Sequence, residues 1–246
     1  MTRDRMTAVE LYPAIDLRGG RVVRLVQGDY DRETAYGDDP VAVAESFVAA
    51  GATWIHVVDL DAARTGSPEN RAVVAAIASA VAGGAHVQTG GGVRSAADAE
   101  QLARSGVARV VMGSAAVREP SLVREAAAIV PVAVGLDHRG GELSVHGWTE
   151  SSGVRLADAL GWFPDAAAFV ITDIGRDGML TGPDIEGLTA AAHATEVPVI
   201  ASGGVATLDD IRALAAVPGI AGVITGKALY EGCFTVADAL AAVRGR

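Results

Sequence analysis

The sequence is poor in cysteine, in aromatic residues and in positive charge. Cys233 is the only cysteine among 246 residues, which excludes an intramolecular disulfide and a metal cluster built from the cysteines of one chain. We interpret Cys233 as a small buried apolar residue of the last helix. Aromatic residues make up 4% of the chain while half of it is hydrophobic, so the core must be built from small and aliphatic side chains.

The charge balance and the apolar runs set further limits. Thirty acidic residues against 20 basic ones give a formal net charge of −10, and a broad nucleic-acid surface would need a positive field instead. A small anionic ligand is compatible with this charge, because backbone amides and a few arginines act at short range. No leader-like apolar segment opens the chain, and a glycine pair breaks the uncharged run from Arg71 to Arg94. We therefore expect a cytoplasmic protein without a membrane span.

A glycine-rich passage occurs twice along the chain. The first copy runs from Val87 to Ala115 and the second from Val199 to Ala228, with equivalent glycines 112 or 113 residues apart. Each copy reads as strand, glycine turn, helix, strand and glycine turn. Backbone amides at such strand-to-helix turns bind phosphate oxygens, and glycine lets the ligand approach the backbone. The passage predicts a ligand with two phosphates; the alternative is a duplicated scaffold whose glycines serve geometry alone.

Short runs rich in valine, isoleucine and leucine alternate with alanine-rich stretches, which is the pattern of βα units on a parallel sheet. We predict strands within 11–16, 54–59, 86–89, 109–112, 132–136, 168–172, 199–202 and 222–225, and helices within 40–50, 68–81, 95–105, 120–129, 154–163, 184–194, 207–217 and 234–243. Four units in each repeat favour a (β/α)8 TIM barrel with a two-fold internal repeat over a doubly wound open sheet. We treat residues 1–246 as a single domain with half-barrels at about 1–130 and 131–246.

Three aspartates are candidates for acid–base chemistry. Asp16 and Asp137 end equivalent strands of the two halves, 121 residues apart, and we expect them to face each other across the barrel mouth. Apolar walls and a bound phosphate disfavour the charged form of a carboxyl, which suits it to general acid or base catalysis. Asp177 follows the sixth strand, where the first half has Ala63. For each aspartate, a turn or capping role is the alternative.

The longest segments outside the predicted elements are 18–39 and 138–153. They follow the first and fifth strands, each just beyond a strand-end aspartate. Because the loops after strand ends form the catalytic face of a barrel, we predict both segments to be active-site loops.

Other residues are predicted to bind the ligand. Arg24 is a candidate partner of a phosphate or of the reacting sugar, the alternative being a solvated hairpin arginine. Trp148 either stacks on a ring of the ligand or only covers its own loop. We interpret His56 as a hydrogen-bonded residue of the barrel interior, because no second metal ligand stands beside it at a suitable spacing. The remaining predicted binding residues are Gly91, Gly92, Gly113, Ser114, Thr172, Ser202, Gly203, Gly204, Gly226 and Lys227.

The motifs together resemble the phosphoribosylformimino-aminoimidazole carboxamide ribotide isomerase family of histidine biosynthesis, over nearly the whole chain. The likeness rests on segments 13–17, 24–28, 90–94, 146–148, 172–178 and 226–229. The resemblance implies an Amadori rearrangement, without cofactor or metal, of an aminoaldose with a phosphate at each end into an aminoketose. It also implies that Asp16 removes the proton from sugar C2 and that Asp137 or Asp177 is the acid.

Several alternatives to this family are close. The cyclase of the same pathway shares the barrel and both strand-end aspartates, but segments 25–28 and 146–148 resemble the isomerase. A dual-substrate variant also isomerises phosphoribosyl anthranilate for tryptophan synthesis; it typically has arginine at the position of His146 and usually lacks the glycine found here at Gly90. A non-catalytic phosphosugar-binding barrel is the alternative of another class, although binding alone requires none of the three aspartates. We expect a monomer with a small bisphosphate substrate and no nucleic-acid partner.

Overall fold

The computed structural model describes residues 9–245. Within this range the strands are β1 (Glu10–Arg18), β2 (Arg21–Val26), β3 (Asp29–Gly37), β4 (Trp54–Asp59), β5 (His86–Gly90), β6 (Arg109–Met112), β7 (Val132–Arg139), β8 (Glu142–Val145), β9 (Glu150–Arg155), β10 (Ala168–Asp173), β11 (Val199–Ser202) and β12 (Ile220–Thr225). The helices are α1 (Pro40–Ala49), α2 (Leu60–Thr65), α3 (Arg71–Ala80), α4 (Ala96–Arg104), α5 (Ser114–Arg118), α6 (Ser121–Ala127), α7 (Leu156–Ala159), α8 (Ile185–His193), α9 (Leu208–Ala215), α10 (Lys227–Tyr230) and α11 (Val236–Arg244).

Eight parallel strands close into a barrel. Going round it, the order is β1, β4, β5, β6, β7, β10, β11 and β12, and β12 pairs with β1 to complete the ring. The helices between the strands cover the outside. The predicted TIM barrel is confirmed, and the open sheet is excluded because a closed ring has no edge strand.

The period of two along β1 separates an outer core from an inner one. Leu11, Ile15 and Leu17 are fully buried in the large apolar layer between barrel and helices. Tyr12 and Ala14 belong to a smaller cluster inside the barrel. Because successive side chains point to opposite faces, the same alternation directs the side chain at position 16 inward, at the carboxyl end of the strand.

The two segments predicted to be loops are largely antiparallel strands. β2 and β3 form a hairpin on β1, and β8 and β9 form one on β7. The helix predicted within 154–163 is present but shorter than predicted, because β9 continues to Arg155 and only the four residues of α7 are helical before a turn. The hairpins escaped prediction because their outer strands are mostly polar and half-exposed, without an apolar alternation.

Cys233 corrects a further prediction. It is exposed and lies in the turn before α11, not buried within the helix. Thr235 caps α11 by accepting a hydrogen bond from the Asp238 backbone amide, and Phe234 supplies the buried contact just before the cap. The helix therefore starts after the cysteine, which is left facing outward.

The repeat is visible in the order of elements. β1 and β7 are each followed by a hairpin and a helix, and then by three further barrel strands. The division into half-barrels near residue 130, within one domain, stays a prediction. In residues 9–245 no helix is long and apolar enough to cross a membrane. The prediction that no leader-like apolar segment opens the chain falls on residues outside the described range and stays a prediction.

Candidate active site

A cavity of about 250 Å³ opens at the carboxyl ends of the barrel strands. All of the residues predicted to act in catalysis or binding line it: Asp16, Arg24, Gly91, Gly92, Gly113, Ser114, Asp137, Trp148, Thr172, Asp177, Ser202, Gly203, Gly204, Gly226 and Lys227. The fold thus brings the predicted residues to one place, while the role of each stays a prediction.

The glycine turns of the two repeats have matching geometry. Gly91 and Gly203 have φ angles of +89° and +91°, and a Cβ atom at either position would collide with the backbone of the preceding barrel strand's last aspartate. These glycines are therefore required by the close packing of strand ends as well as by any ligand. Gly113 and Gly226 precede α5 and α10 without a side-chain cap, so the first amides of both helices remain available at the cavity.

Asp16 and Arg24 form a buried ion pair at the mouth. The distance from Arg24 Nη1 to Asp16 Oδ2 is 2.8 Å. Burial raises the pKa of Asp16 to about 6, a shift that Arg24 opposes and the nearby charge of Asp177 reinforces. The Arg24 guanidinium also packs against the open face of Gly226, where a Cβ atom would collide with it. The interpretation of Arg24 as a solvated hairpin residue is wrong, since it is only 8% exposed.

Asp137 is held by hydrogen-bond donors. Trp148 Nε1 donates to Asp137 Oδ2 over 2.7 Å, and Thr172 bonds to the same carboxyl. Burial raises the pKa of Asp137, while these two donors and the neighbouring His138 oppose the rise. The indole ring of Trp148 lies against Gly28, where an added Cβ would overlap it. In this structure Trp148 links the two hairpins across the mouth.

Asp177 lies within electrostatic range of both other aspartates, because its charge raises the pKa of Asp16 and of Asp137. Burial raises its own pKa, and Arg24 and Lys227 oppose that rise. Lys227 Nζ donates to the carbonyl oxygen of Gly178 over 2.8 Å and so holds the loop that carries Asp177. The position equivalent to Asp177 in the first repeat, Ala63, lines the cavity without a polar group.

Comparison with known sequences identifies the family. The profile of the family described as histidine biosynthesis protein matches residues 10–235. The chain belongs to that family. It is 49% identical over 244 residues to a protein of Rhizorhabdus wittichii, covering 97% of this chain and 100% of that one. It is 48% identical to a protein of Sphingopyxis alaskensis, over 96% and 99% of the two chains, and 47% identical to one of Geobacillus thermodenitrificans, over 98% and 100%. All three relatives are named imidazole-4-carboxamide isomerases, with two phosphoribosyl groups in the name.

This member of the histidine biosynthesis family has site residues that the sequence did not single out for binding. Arg94 and Arg118 line the cavity beside the glycine turns of the first repeat. The equivalent positions of the second repeat are Ala206 and Glu231. A residue-by-residue comparison of the two repeats would have shown this difference. Tyr30 also lines the cavity, and its hydroxyl donates to the Leu60 carbonyl over 2.8 Å.

Two histidines of this family member sit at the cavity in different ways. His146 lines the rim; its amide donates to Ser114 Oγ over 2.9 Å, and its Nδ1 is 2.9 Å from Glu150 Oε2. His56 lies inside the barrel, with Nδ1 3.0 Å from Gln88 Nε2. The prediction that His56 is a hydrogen-bonded residue of the barrel interior is confirmed.

Proposed function

We propose that this chain is the aldose–ketose isomerase of histidine biosynthesis that converts the phosphoribosylformimino-aminoimidazole carboxamide ribonucleotide from aminoaldose to aminoketose by an Amadori rearrangement. One observation carries the proposal. Three partly buried aspartates share a cavity with two glycine turns from each repeat, in a chain nearly half identical to isomerases over almost its full length. A pure binding barrel would have no use for three partly buried carboxyls beside a ligand with two phosphates.

Asp16 is proposed as the general base that removes the proton from sugar C2. It stands at the end of an inward-facing row of β1, and a pKa of about 6 leaves it ionised at neutral pH yet basic enough to accept a proton. Arg24 holds the carboxylate in place through the 2.8 Å ion pair. Arg24 Nε itself is buried and has no hydrogen-bond acceptor in residues 9–245.

Asp177 is proposed as the general acid. Asp137 already accepts hydrogen bonds from Trp148 and Thr172, which favour its charged form, whereas no side chain of residues 9–245 donates to Asp177. Burial favours the protonated form of Asp177, as a proton donor requires. Its proton would go to the ring oxygen or the imine nitrogen as the ring opens. One proton leaves carbon and one is delivered, so the formula is unchanged and acid–base groups are enough.

The two ends of the substrate would be held by the two repeats. In the first, Gly92 and Ser114 line the cavity at the glycine turns; in the second, Gly204 and Lys227 do. Backbone amides at helix starts favour negative charge, and the lysine adds a cation. We further propose a cytoplasmic monomer that acts on this small bisphosphate and binds no nucleic acid.

The test is to assay the purified protein separately with the histidine-pathway aminoaldose and with phosphoribosyl anthranilate. We expect turnover of the first alone, because His146 stands at the rim where the dual-substrate variant typically has arginine. Turnover of both would contradict the single-substrate assignment. Tight binding of the aminoaldose without turnover would contradict the proposal that the chain is an enzyme and would favour the non-catalytic phosphosugar-binding barrel.

A further inference from the structure

The first repeat carries a chain of polar side chains inside the barrel. His56, Gln88 and Arg109 are register partners on the adjacent strands β4, β5 and β6. Gln88 Nε2 lies 3.0 Å from His56 Nδ1, Arg109 Nε donates to Gln88 Oε1 over 2.5 Å, and Arg109 Nη2 donates to the Tyr12 hydroxyl over 2.7 Å. All four side chains are buried.

The second repeat has an apolar row in the same register. Val170, Ile200 and Gly222 are partners on β10, β11 and β12, at the positions equivalent to the histidine, glutamine and arginine. The barrel therefore closes equally well with an apolar row at this level. Since buried polar and charged groups are costly unless paired, the polar row of the first repeat calls for an explanation other than folding.

Arg109 makes this cost plain. No carboxylate of residues 9–245 forms an ion pair with Arg109, and its charge is met by the hydroxyl of Tyr12, the carbonyl of Gln88 and the ring face of Trp54 at 4.4 Å. A guanidinium has only donors and does not lose its proton in proteins. Arg109 is therefore always the donor in its hydrogen bonds, and each of its partners must present an acceptor.

The donor role of Arg109 determines which nitrogen of His56 carries the proton, through the side chain of Gln88. Because Arg109 can only donate, the oxygen of the Gln88 amide faces it, and the amide NH2 must face the imidazole. His56 Nδ1 is then the acceptor, and the proton of the neutral ring lies on Nε2. Burial lowers the pKa of His56 to about 3, with the charges of Arg24 and Arg109 adding to the effect, so the ring is neutral.

The second nitrogen of His56 belongs to the cavity. His56 is among its lining residues, and its Nε2 is neither paired within residues 9–245 nor sealed from the cavity. Ala14, the register partner of His56 on β1, stands two residues before Asp16, so both side chains lie on the inward face. The imidazole therefore lies one layer below the proposed base.

We propose that Arg109 and Gln88 are positioning residues that hold His56 as an Nε2–H donor toward an oxygen of the sugar phosphate on the cavity floor. Rotation of the imidazole or transfer of its proton to Nδ1 would replace that donor by an acceptor. This assignment rests on the proposed isomerase for the identity of the ligand, and the state of the ring can be measured without it.

The first experiment is nitrogen NMR of the whole protein labelled at histidine, with His56 assigned through a His56→Gln variant. We expect a single neutral tautomer with its proton on Nε2 at pH 7. In Gln88→Met, which keeps the volume and removes both the oxygen and the NH2 of the side-chain amide, we expect a mixture of tautomers. In Gln88→Glu, which offers only acceptors to the ring, we expect the proton to move to Nδ1. The matched control is Ile200→Met, the equivalent buried position of the second repeat.

The second experiment measures kcat and KM for the same variants, with thermal unfolding to establish that each is folded. We expect Gln88→Met to lower kcat/KM about tenfold, the effect of one misdirected neutral hydrogen bond, and Ile200→Met to change it little. If Gln88→Met does not fold, the Gln88→Glu spectrum still shows whether the side chain at position 88 determines which nitrogen of His56 carries the proton. A mixed tautomer in the active wild type would overturn the proposal.

Two other outcomes separate the proposals from each other. An altered tautomer in folded Gln88→Met with unchanged kcat/KM would overturn the positioning role. A wild type that shows the Nε2–H tautomer but turns over no aminoaldose would contradict the proposed isomerase and the sugar phosphate as ligand, while the hydrogen-bonded chain itself would stand.

Discussion

Trp148 Nε1 donates a 2.7 Å hydrogen bond to Asp137, and this bond distinguishes Asp137 from the other two aspartates of the cavity. Trp148 has a φ angle of +73°, which for a bulky residue costs on the order of 1 to 3 kcal/mol and needs support from its surroundings. The support comes from the indole packing on Gly28 and from Asp137 itself. By contrast, Asp16 is paired with Arg24. Different partners indicate different roles for the carboxyls.

Trp148→Phe tests the role of this bond. Phenylalanine keeps a ring against Gly28 but removes the donor, so the charged form of Asp137 loses support and its pKa should rise. We expect kcat/KM to fall about tenfold through loss of one hydrogen bond to a charged group. The measurement is steady-state kinetics, with Trp162→Phe, a half-exposed tryptophan outside the cavity, as the control. Equal kinetics for both variants would show that the bond is only structural.

Asp16→Asn tests the proposed base. Asparagine is nearly isosteric with aspartate but cannot take up the proton from carbon, so we expect kcat to fall by a factor of about 10² to 10⁴ or more, the typical contribution of a general base. Affinity for the substrate should be broadly kept, as measured by calorimetry with the wild type under the same conditions. Asp209→Asn, on the exposed surface, is the control. A variant with wild-type kcat would exclude Asp16 as the base.

The raised pKa of Asp16 also predicts how stability depends on pH. The carboxyl titrates near 6 in the folded protein and near 3.8 in the unfolded chain, so the folded state binds this proton more tightly. Relative to Asp16→Asn, the wild type should therefore gain stability as the pH falls from 7 to 4. The difference should be on the order of 3 kcal/mol in favour of the variant at pH 7, should fall below about 1 kcal/mol near pH 4 and should vanish only below the unfolded pKa of 3.8.

Thermal or denaturant unfolding of both proteins across this pH range measures the difference. Comparing two proteins that differ at one carboxyl cancels the titration of all the others to first order. A constant difference between pH 4 and pH 7 would mean that the folded state does not shift the pKa of Asp16.

The barrel could be predicted because its signal is local. β4, β6 and β11 have the bounds predicted from the sequence, since each is a run of mostly β-branched and other apolar residues with turn signals at its end. The hairpins gave no such signal. β3 is polar almost throughout and is a strand because β2 offers it backbone hydrogen bonds, which is a tertiary effect.

The site divides in the same way. The glycine turns and strand-end aspartates could be predicted from the sequence because a repeat shows equivalent positions directly. The partners of Gln88 were not, because a glutamine in a strand and an arginine at the start of the next reveal their contact only when the strand register is known. The hydrogen bond between Trp148 and Asp137 likewise could not be predicted, because it depends on how a hairpin folds back over the barrel.

Gly204→Asp tests the second phosphate turn. Gly204 has a φ angle of +83°, and a Cβ atom there would collide with the carbonyl oxygen of Gly182, so any side chain strains the turn. Gly204→Ala carries the same strain without the charge, and the difference between the two variants isolates electrostatic repulsion of the phosphate. We expect Gly204→Asp to have a KM higher than that of Gly204→Ala by at least about tenfold, because like charges in contact cost several kcal/mol.

The control for this pair is Gly83, which has a φ angle of +82°, open space where a Cβ would lie and no part in the cavity. Its alanine and aspartate variants should differ little from each other in KM, because the added charge lies far from the substrate. If the two Gly204 variants also share one KM, the negative charge meets no phosphate at that turn. The matched glycines of the second repeat would then be explained by the packing of strand ends alone.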